Sequence, residues 1–255
     1  TRTYPLAYDG RWYIDTGALV AALDDGTRAV VLVHPNNPTG SFVRRDELDR
    51  IVAGCARAGT AIISDEVFAD YVLDDRPGRA GSLAGEDRVA TFALGGLSKS
   101  VALPQIKLGW IAVAGPAATR DRTCARLDLI ADTYLSVAAV AQHAAAALID
   151  LGPATREGIL RRLTRNLARL DERSTGSGAG LLDVEAGWSA VLRVPAVRTA
   201  EDWAIAMVEE RAVLVQPGYF YDFESEACLV VSLLTRPDRF DAGIEAVLET
   251  VAAGI

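Results

Sequence analysis

The sequence is poor in several things, and each shortage closes off a class of protein. Its three cysteines, Cys55, Cys124 and Cys228, are odd in number, far apart and in no C-x-x-C pair. A disulfide framework and a zinc ribbon are therefore excluded, no metal site is expected, and a reducing, cytoplasmic setting is. Long hydrophobic runs are also missing. The most apolar window, 137–151, is interrupted by Gln142, His143 and Asp150, so it is too short and too polar to span a bilayer and reads as a buried helix. The opening residues Thr1, Arg2, Thr3, Tyr4 and Pro5 carry no apolar core, which predicts no signal peptide. The only methionine is Met207, which points to a processed chain or a piece of a longer one. Positive charge is short as well: 26 Lys+Arg against 34 Asp+Glu leave a net charge of −8 over 255 residues, which argues against a nucleic-acid partner or an anionic membrane surface.

What remains is ordinary globular material, 50% hydrophobic and 24% charged, enough for one large core or two smaller ones and incompatible with wholesale disorder. The β-branched run at 29–34, AVVLVH, stops at Pro35 and suits a strand buried on both faces of a parallel sheet. Over 45–58, Leu48, Ile51, Val52 and Cys55 recur at helical spacing and Gly59 closes the segment, as a C-terminal cap does. A second strand follows at 61–64. Strand, helix and strand in that order predict a right-handed crossover with both strands parallel and their C-terminal ends on one edge. Further strands are predicted at 89–94 and 108–113, and helices at 117–131 and 137–151.

After Gly152-Pro153 a new amphipathic helix is predicted, with Ile159, Leu160, Leu163, Leu167 and Leu170 on one stripe and Arg156, Arg161, Arg162, Arg165 and Arg169 on the other. In an acidic chain that basic face reads as solvated, not as a phosphate grip. The string STGSGAG at 174–180 contains G-x-G but follows a helix instead of a strand, so it reads as a flexible hinge and not as a dinucleotide fingerprint. Strands are predicted beyond it at 181–185, 190–194, 213–215 and 228–234, and helices at 201–211 and 236–251, the first opened by a Thr199/Asp202 capping box. The fold class is therefore α/β: a large domain with a mainly parallel sheet flanked by helices over 1–150, and a smaller α+β domain with its long connecting helix over 151–255.

Three polar groups stand where apolar strands end: Asn37, Asp65 with Glu66, and Lys99 after TFALGGLS. The crevice beyond the carboxyl ends of parallel strands is where such sheets bind ligands. A hydrophobic strand ending in Asp-Glu also suits a nucleotide hydrolase, but no Gly-x-x-x-x-Gly-Lys-Ser/Thr exists to partner it, the nearest string being GGLSKS at 95–100. A lysine set among glycines and apolar residues, as Lys99 is, suits Schiff-base chemistry when desolvated, or else simply reaches water from a loop.

The strings VHPNNPTG (33–40), ISDEVFADY (63–71) and GGLSKSVALPQIKLGW (95–110) resemble, in order and spacing, the class I/II aminotransferases, which are fold type I enzymes using pyridoxal 5'-phosphate. The likeness runs from about Ala29 to the C-terminus. It implies that Lys99 forms the Schiff base with the cofactor and then moves a proton as a base. It implies that Asp65 pairs with the pyridine nitrogen, making the ring an electron sink, and that Asn37 donates to the phenolic oxygen. Ser98 belongs to the same cofactor site, Tyr71 has no clear role beyond packing, and Pro38-Thr39-Gly40 form the turn that sets Asn37. A homodimer acting on an amino acid or amine and a keto acid is implied as well.

The departures from the family pattern are specific. Phe68 stands where a tyrosine is usual, removing one hydrogen bond to the phenolic oxygen. Gly96 replaces a serine of the phosphate cup and Lys107 an arginine, so a point charge stands in for a bidentate fork. Val230 falls where an arginine usually clamps the substrate carboxylate, leaving Arg193 or Arg236 for that task, or a substrate that is not an ordinary α-amino acid. Trp188 and 219–221 are candidates for the small-domain wall of the pocket, or ordinary core aromatics. His34, beside the Asn motif, reads as a structural hydrogen-bonding group. The N-terminal phosphate-cradling turn and ring-stacking aromatic of relatives are not found in the sequence. Two other readings share these residues: a lyase of the same fold eliminating at Cβ, and a non-catalytic aminotransferase-like effector module.

Overall fold

The computed structural model describes residues 1–134, 136–223 and 227–254. The chain divides into two compact units: one of 1–36, 42–70 and 76–156, the other of 37–41, 71–75 and 157–255.

The first unit opens with a hairpin of β1 (Leu6–Tyr8) and β2 (Trp12–Ile14), followed by α1 (Thr16–Ala21). These three elements were not predicted, because strands of three residues carry too little alternation to be seen. Next come β3 (Ala29–Val33), α2 (Arg45–Ala58), β4 (Ala61–Asp65), β5 (Thr91–Gly96), the single turn α3 (Leu97–Ser100), β6 (Gly109–Ala114), α4 (Ala117–Tyr134) and α5 (Ala139–Ser174). The sheet order is β3-β4-β5-β6, parallel except for β6, which runs antiparallel to β5. The crossover from β3 through α2 to β4 is the one predicted. Gly59 caps α2 in the left-handed conformation at φ 65°, where a residue without Cβ avoids a steric cost.

One face of the sheet is well packed. Val30, Leu32 and Ile62 meet Leu48, Ile51, Val52 and Cys55 of α2 and Leu19 of α1 in a single buried cluster, each large side chain contributing about 1.5–3 kcal/mol. The opposite face differs from the expectation of burial on both sides: Val31 is 53% exposed and Ile111 47% exposed. Nor is the 137–151 segment a buried helix, since Val140, Ile149 and Leu151 are all exposed. It also does not end at Gly152-Pro153, because α5 continues through Pro153. Proline removes one intrahelical donor, yet flanks rich in Ala, Leu and Arg keep the helix going.

The second unit holds the C-terminal part of α5, then β7 (Gly180–Leu181), β8 (Ser189–Arg193), α6 (Ala200–Arg211), β9 (Gln216–Pro217), β10 (Cys228–Ser232) and α7 (Pro237–Ala253). Its antiparallel sheet is ordered β7-β8-β10-β9. Strand pairing is confined to 180–181 instead of 181–185, and to 216–217 instead of 213–215. Leu163 and Leu170 of the predicted stripe are fully buried. On the outer face Arg165 binds Asp241 through both guanidinium nitrogens, at 2.6 and 2.5 Å. The 174–180 segment is a hydrogen-bonded turn, with the Ser177 hydroxyl donating to the Ser174 carbonyl at 2.8 Å. Thr199 caps α6 as expected, accepting from the Asp202 amide at 3.1 Å. Among the described residues no helix is long and apolar enough to cross a membrane.

Candidate active site

Parallel register sets Val33, Asp65 and Leu94 side by side at the C-terminal ends of β3, β4 and β5. Asp65 is thus the last residue of its strand and not the first beyond it. One of its carboxylate oxygens accepts from the Val67 amide at 3.1 Å. Glu66 turns away: its amide donates to the Leu94 carbonyl at 3.0 Å, and its carboxylate accepts from the Ser64 hydroxyl and the Leu83 amide at 3.0 and 2.8 Å. The turn closes with the Ala69 amide donating to the Glu66 carbonyl, which brings the Phe68 ring inward to 8% exposure.

From the neighbouring strand, β5 runs without a loop into α3. Leu97, fully buried, anchors that turn: its amide donates to the Leu108 carbonyl and its carbonyl accepts from the Leu103 amide, both at 3.0 Å. The Ser100 hydroxyl donates to the Gly96 carbonyl at 2.9 Å. Ser98 and Lys99 stay half-buried, and the Lys99 amine lies 5.2 Å from the centroid of the Phe68 ring, within cation–π range. Lys107 ends the following turn in the left-handed region at φ 56°, its side chain exposed. Lys99 and Lys107 are the only lysines in the chain.

The structure therefore brings Asp65, Phe68 and Lys99 to one end of the parallel strands of the first unit. Asn37, Trp188 and Val230 belong to the second unit. Asn37 is exposed in the turn where Thr39 and Ser41 share a hydrogen bond of 2.9 Å. Gly40, at φ 73°, passes so close to the Ala186 carbonyl that a Cβ there would overlap it. Trp188 is half-buried and meets Tyr71 edge-on at 5.0 Å; Tyr71, fully buried, takes the Gly187 amide on its carbonyl at 2.9 Å. Val230 is buried on β10 between Val191 and Gln216. Tyr219 and Phe220 are 50% and 62% exposed, so they are not core aromatics.

His34, read from the sequence as a structural hydrogen-bonding group, is one, although its partners could not be named in advance. His34 follows β3, is only 2% exposed, donates its amide to the Asp65 carbonyl at 2.8 Å, and takes the Val43 amide on Nδ1 at 3.0 Å. Burial holds its pKa below the ordinary histidine value. No local pattern names those partners, because Val43 and Asp65 come from two separate segments.

An open α/β sheet with an amine and a carboxylate at the ends of neighbouring strands is a ligand-binding α/β architecture. The family model for aminotransferases of class I and II matches residues 1–247, and the chain belongs to that family; the match begins well before Ala29. Nicotianamine aminotransferase A of Hordeum vulgare is 33% identical over 140 residues, 53% of this chain and 29% of that protein. The S-alkyl-thiohydroximate lyase SUR1 of Arabidopsis thaliana is 32% identical over 126 residues, 48% of this chain and 26% of that one. Among solved structures, N-succinyldiaminopimelate aminotransferase from Mycobacterium tuberculosis superposes with a TM-score of 0.80 at 25% identity, over 96% of this chain and 64% of that one. Tyrosine aminotransferase from Leishmania infantum shares the fold, with a TM-score of 0.84 at 21% identity over 99% of this chain and 63% of that one. The chain thus spans less than two thirds of these relatives' length.

Proposed function

We propose that this chain is the Lys99-bearing part of a pyridoxal-phosphate-dependent aminotransferase, moving an amino group between an amino acid or amine and a keto acid, as a homodimer. The observation that carries the reading is the Lys99 amine over Phe68, one strand away from Asp65. The donor set fits the cofactor: Asp65 is a half-buried carboxylate at a strand end, one oxygen of which accepts from the Val67 amide, and an anion so placed suits a ring N–H. When bound, pyridoxal phosphate supplies an aldehyde and a ring that takes up electron density from the substrate carbon. Lys99 would supply the amine that holds the cofactor's aldehyde carbon and, once an incoming substrate amine has displaced it, would hold and return the migrating proton. Asp65 keeps the ring nitrogen protonated by its negative charge. Phe68 walls the site without donating a hydrogen bond. Asn37 serves the phenolic oxygen, while Ser98 and the cation of Lys107 serve the phosphate. Trp188 and Val230 line the substrate side, where an apolar residue in the carboxylate-clamp position favours a substrate held by other means. We take 1–150 as the cofactor domain and 151–255 as the smaller domain.

The likeness to a lyase supports a second reading, elimination at Cβ with the same Lys99 and Asp65. Purified chain is mixed with pyridoxal phosphate, reduced with borohydride and mapped by peptide mass. Label on Lys99 and not on Lys107, lost in Lys99→Ala, is expected; label that survives the substitution removes Lys99 from the mechanism. With amino donors, one keto acid per site and no ammonia supports transfer, whereas ammonia release supports the lyase.

A further inference from the structure

The cofactor site as read above leaves His34 unused, although three segments converge on it. Its backbone amide holds the carbonyl of Asp65 at 2.8 Å. Its Nδ1 accepts the Val43 amide at 3.0 Å, so the two ends of the loop carrying Asn37 are tied together through one imidazole. Val43 is tied in turn to the 78–80 segment, its carbonyl accepting from the Ala80 amide at 2.8 Å. The Phe42 ring covers the imidazole edge-on at 5.2 Å.

We infer that His34 is a positioning residue of the cofactor site: a neutral staple that fixes the Asn37 loop to the end of β4, and that opens when its ring takes up a proton. The proposal rests on the reading of this site as a pyridoxal phosphate site. Its mechanism is a matter of donors and acceptors. With Nδ1 unprotonated the ring accepts from Val43; a proton on Nδ1 sets two N–H groups against each other and leaves both without an acceptor in a buried place. Two charges act on the ring, Glu66 from beyond β4, which favours the proton, and Arg79 from the 78–80 segment, which opposes it; backbone groups of Ala80 and Gly81 also favour the proton, and burial outweighs them all. The sign follows. A histidine titrates at about 6.5 when unfolded and lower here, so the staple's contribution is full above about 6.5 and is lost as pH falls through the lowered folded value.

Two substitutions separate positioning from bulk. In His34→Asn the amide oxygen takes the place of Nδ1, accepts from Val43 and does not titrate; His34→Leu fills the space and accepts nothing. Expected at pH 7.5 is pyridoxal phosphate affinity reduced about tenfold in His34→Leu and within about threefold of wild type in His34→Asn, as a lost buried hydrogen bond implies. Between pH 7 and pH 5 the wild-type chain should lose affinity by a larger factor than His34→Asn. In the cofactor-free protein, the protection of the Val43 amide against hydrogen exchange, corrected for intrinsic pH dependence, should fall in acid for wild type and be absent throughout in His34→Leu. Equal acid profiles for wild type and His34→Asn, or a Val43 amide as protected in His34→Leu as in wild type, overturn the proposal. If His34→Leu does not fold, the wild-type and His34→Asn profiles decide alone. A wild-type chain that takes up no pyridoxal phosphate refutes the proposed function, and the staple is then judged on Val43 exchange.

Discussion

The side chains of Phe68 and Lys99 meet although they leave different strands: the ring after β4 lies under the amine after β5, 5.2 Å from centroid to Nζ. Because the ring has no hydroxyl, it offers a π face and no donor. Under the proposed function, Phe68→Tyr adds a hydrogen bond to an anionic oxygen of the bound cofactor. The pH midpoint of the cofactor's visible absorption change should then fall by about one unit, the size expected for a hydrogen bond to a charged group. An unchanged midpoint would place that oxygen elsewhere.

Gly40 combines a φ of 73° with a backbone approach to Ala186 that leaves no room for a Cβ. Gly40→Ala should cost at least about 2 kcal/mol of stability in urea unfolding, from left-handed strain and overlap together. Gly59 has a similar φ of 65° but open space around it, so Gly59→Ala should cost only about 1 kcal/mol. Equal losses at the two positions would contradict the close approach.

Asn166 is fully buried on α5, and its amide nitrogen donates to the carbonyls of Leu233 and Thr235, both at 2.8 Å. It thereby fixes the turn after β10 to the helix. Asn166→Leu should destabilise the protein by about 1–3 kcal/mol, chiefly by orphaning the buried Leu233 carbonyl, since Thr235 is exposed and its carbonyl can turn to water. Asn166→Asp should be worse, since it sets a negative charge against the same two oxygens. Thermal melts of the two variants check the order.

The three cysteines should divide by exposure. Cys55 is fully buried, and burial pushes its thiol up to about 11, which leaves on the order of one thiolate in a thousand at pH 8. Cys228 is buried too, whereas Cys124 is exposed. Titration with a chromogenic disulfide should show one fast thiol, lost in Cys124→Ser, and two more only on unfolding. A second fast thiol would mean that one of the buried cysteines opens readily.

Where structure depends on chain neighbours, the sequence was legible. The apolar spacing of α2 and its Gly59 cap are properties of consecutive residues, and both match. Where structure depends on what packs alongside, it was not. Val31 is as apolar as Val30, but only the face carrying Val30 meets α2. Pro153 reads as a helix end, yet the flanking residues carry α5 through it. Val230 was placed at a substrate-clamp position by resemblance; its place between β8 and β9 is set by strand pairing, and its burial by what packs on that sheet face.

The amino-acid sequence by itself determined that short apolar strands end in Asp65 and run on to Lys99, because hydrophobic periodicity, turns and caps are set by neighbours a few residues apart. Only the tertiary structure decided that Lys99 lies over Phe68 and that His34 joins the Asp65 carbonyl to Val43. Those meetings depend on the parallel register of β3, β4 and β5, which is a collective outcome of burying one sheet face against α2 and is written in no single segment.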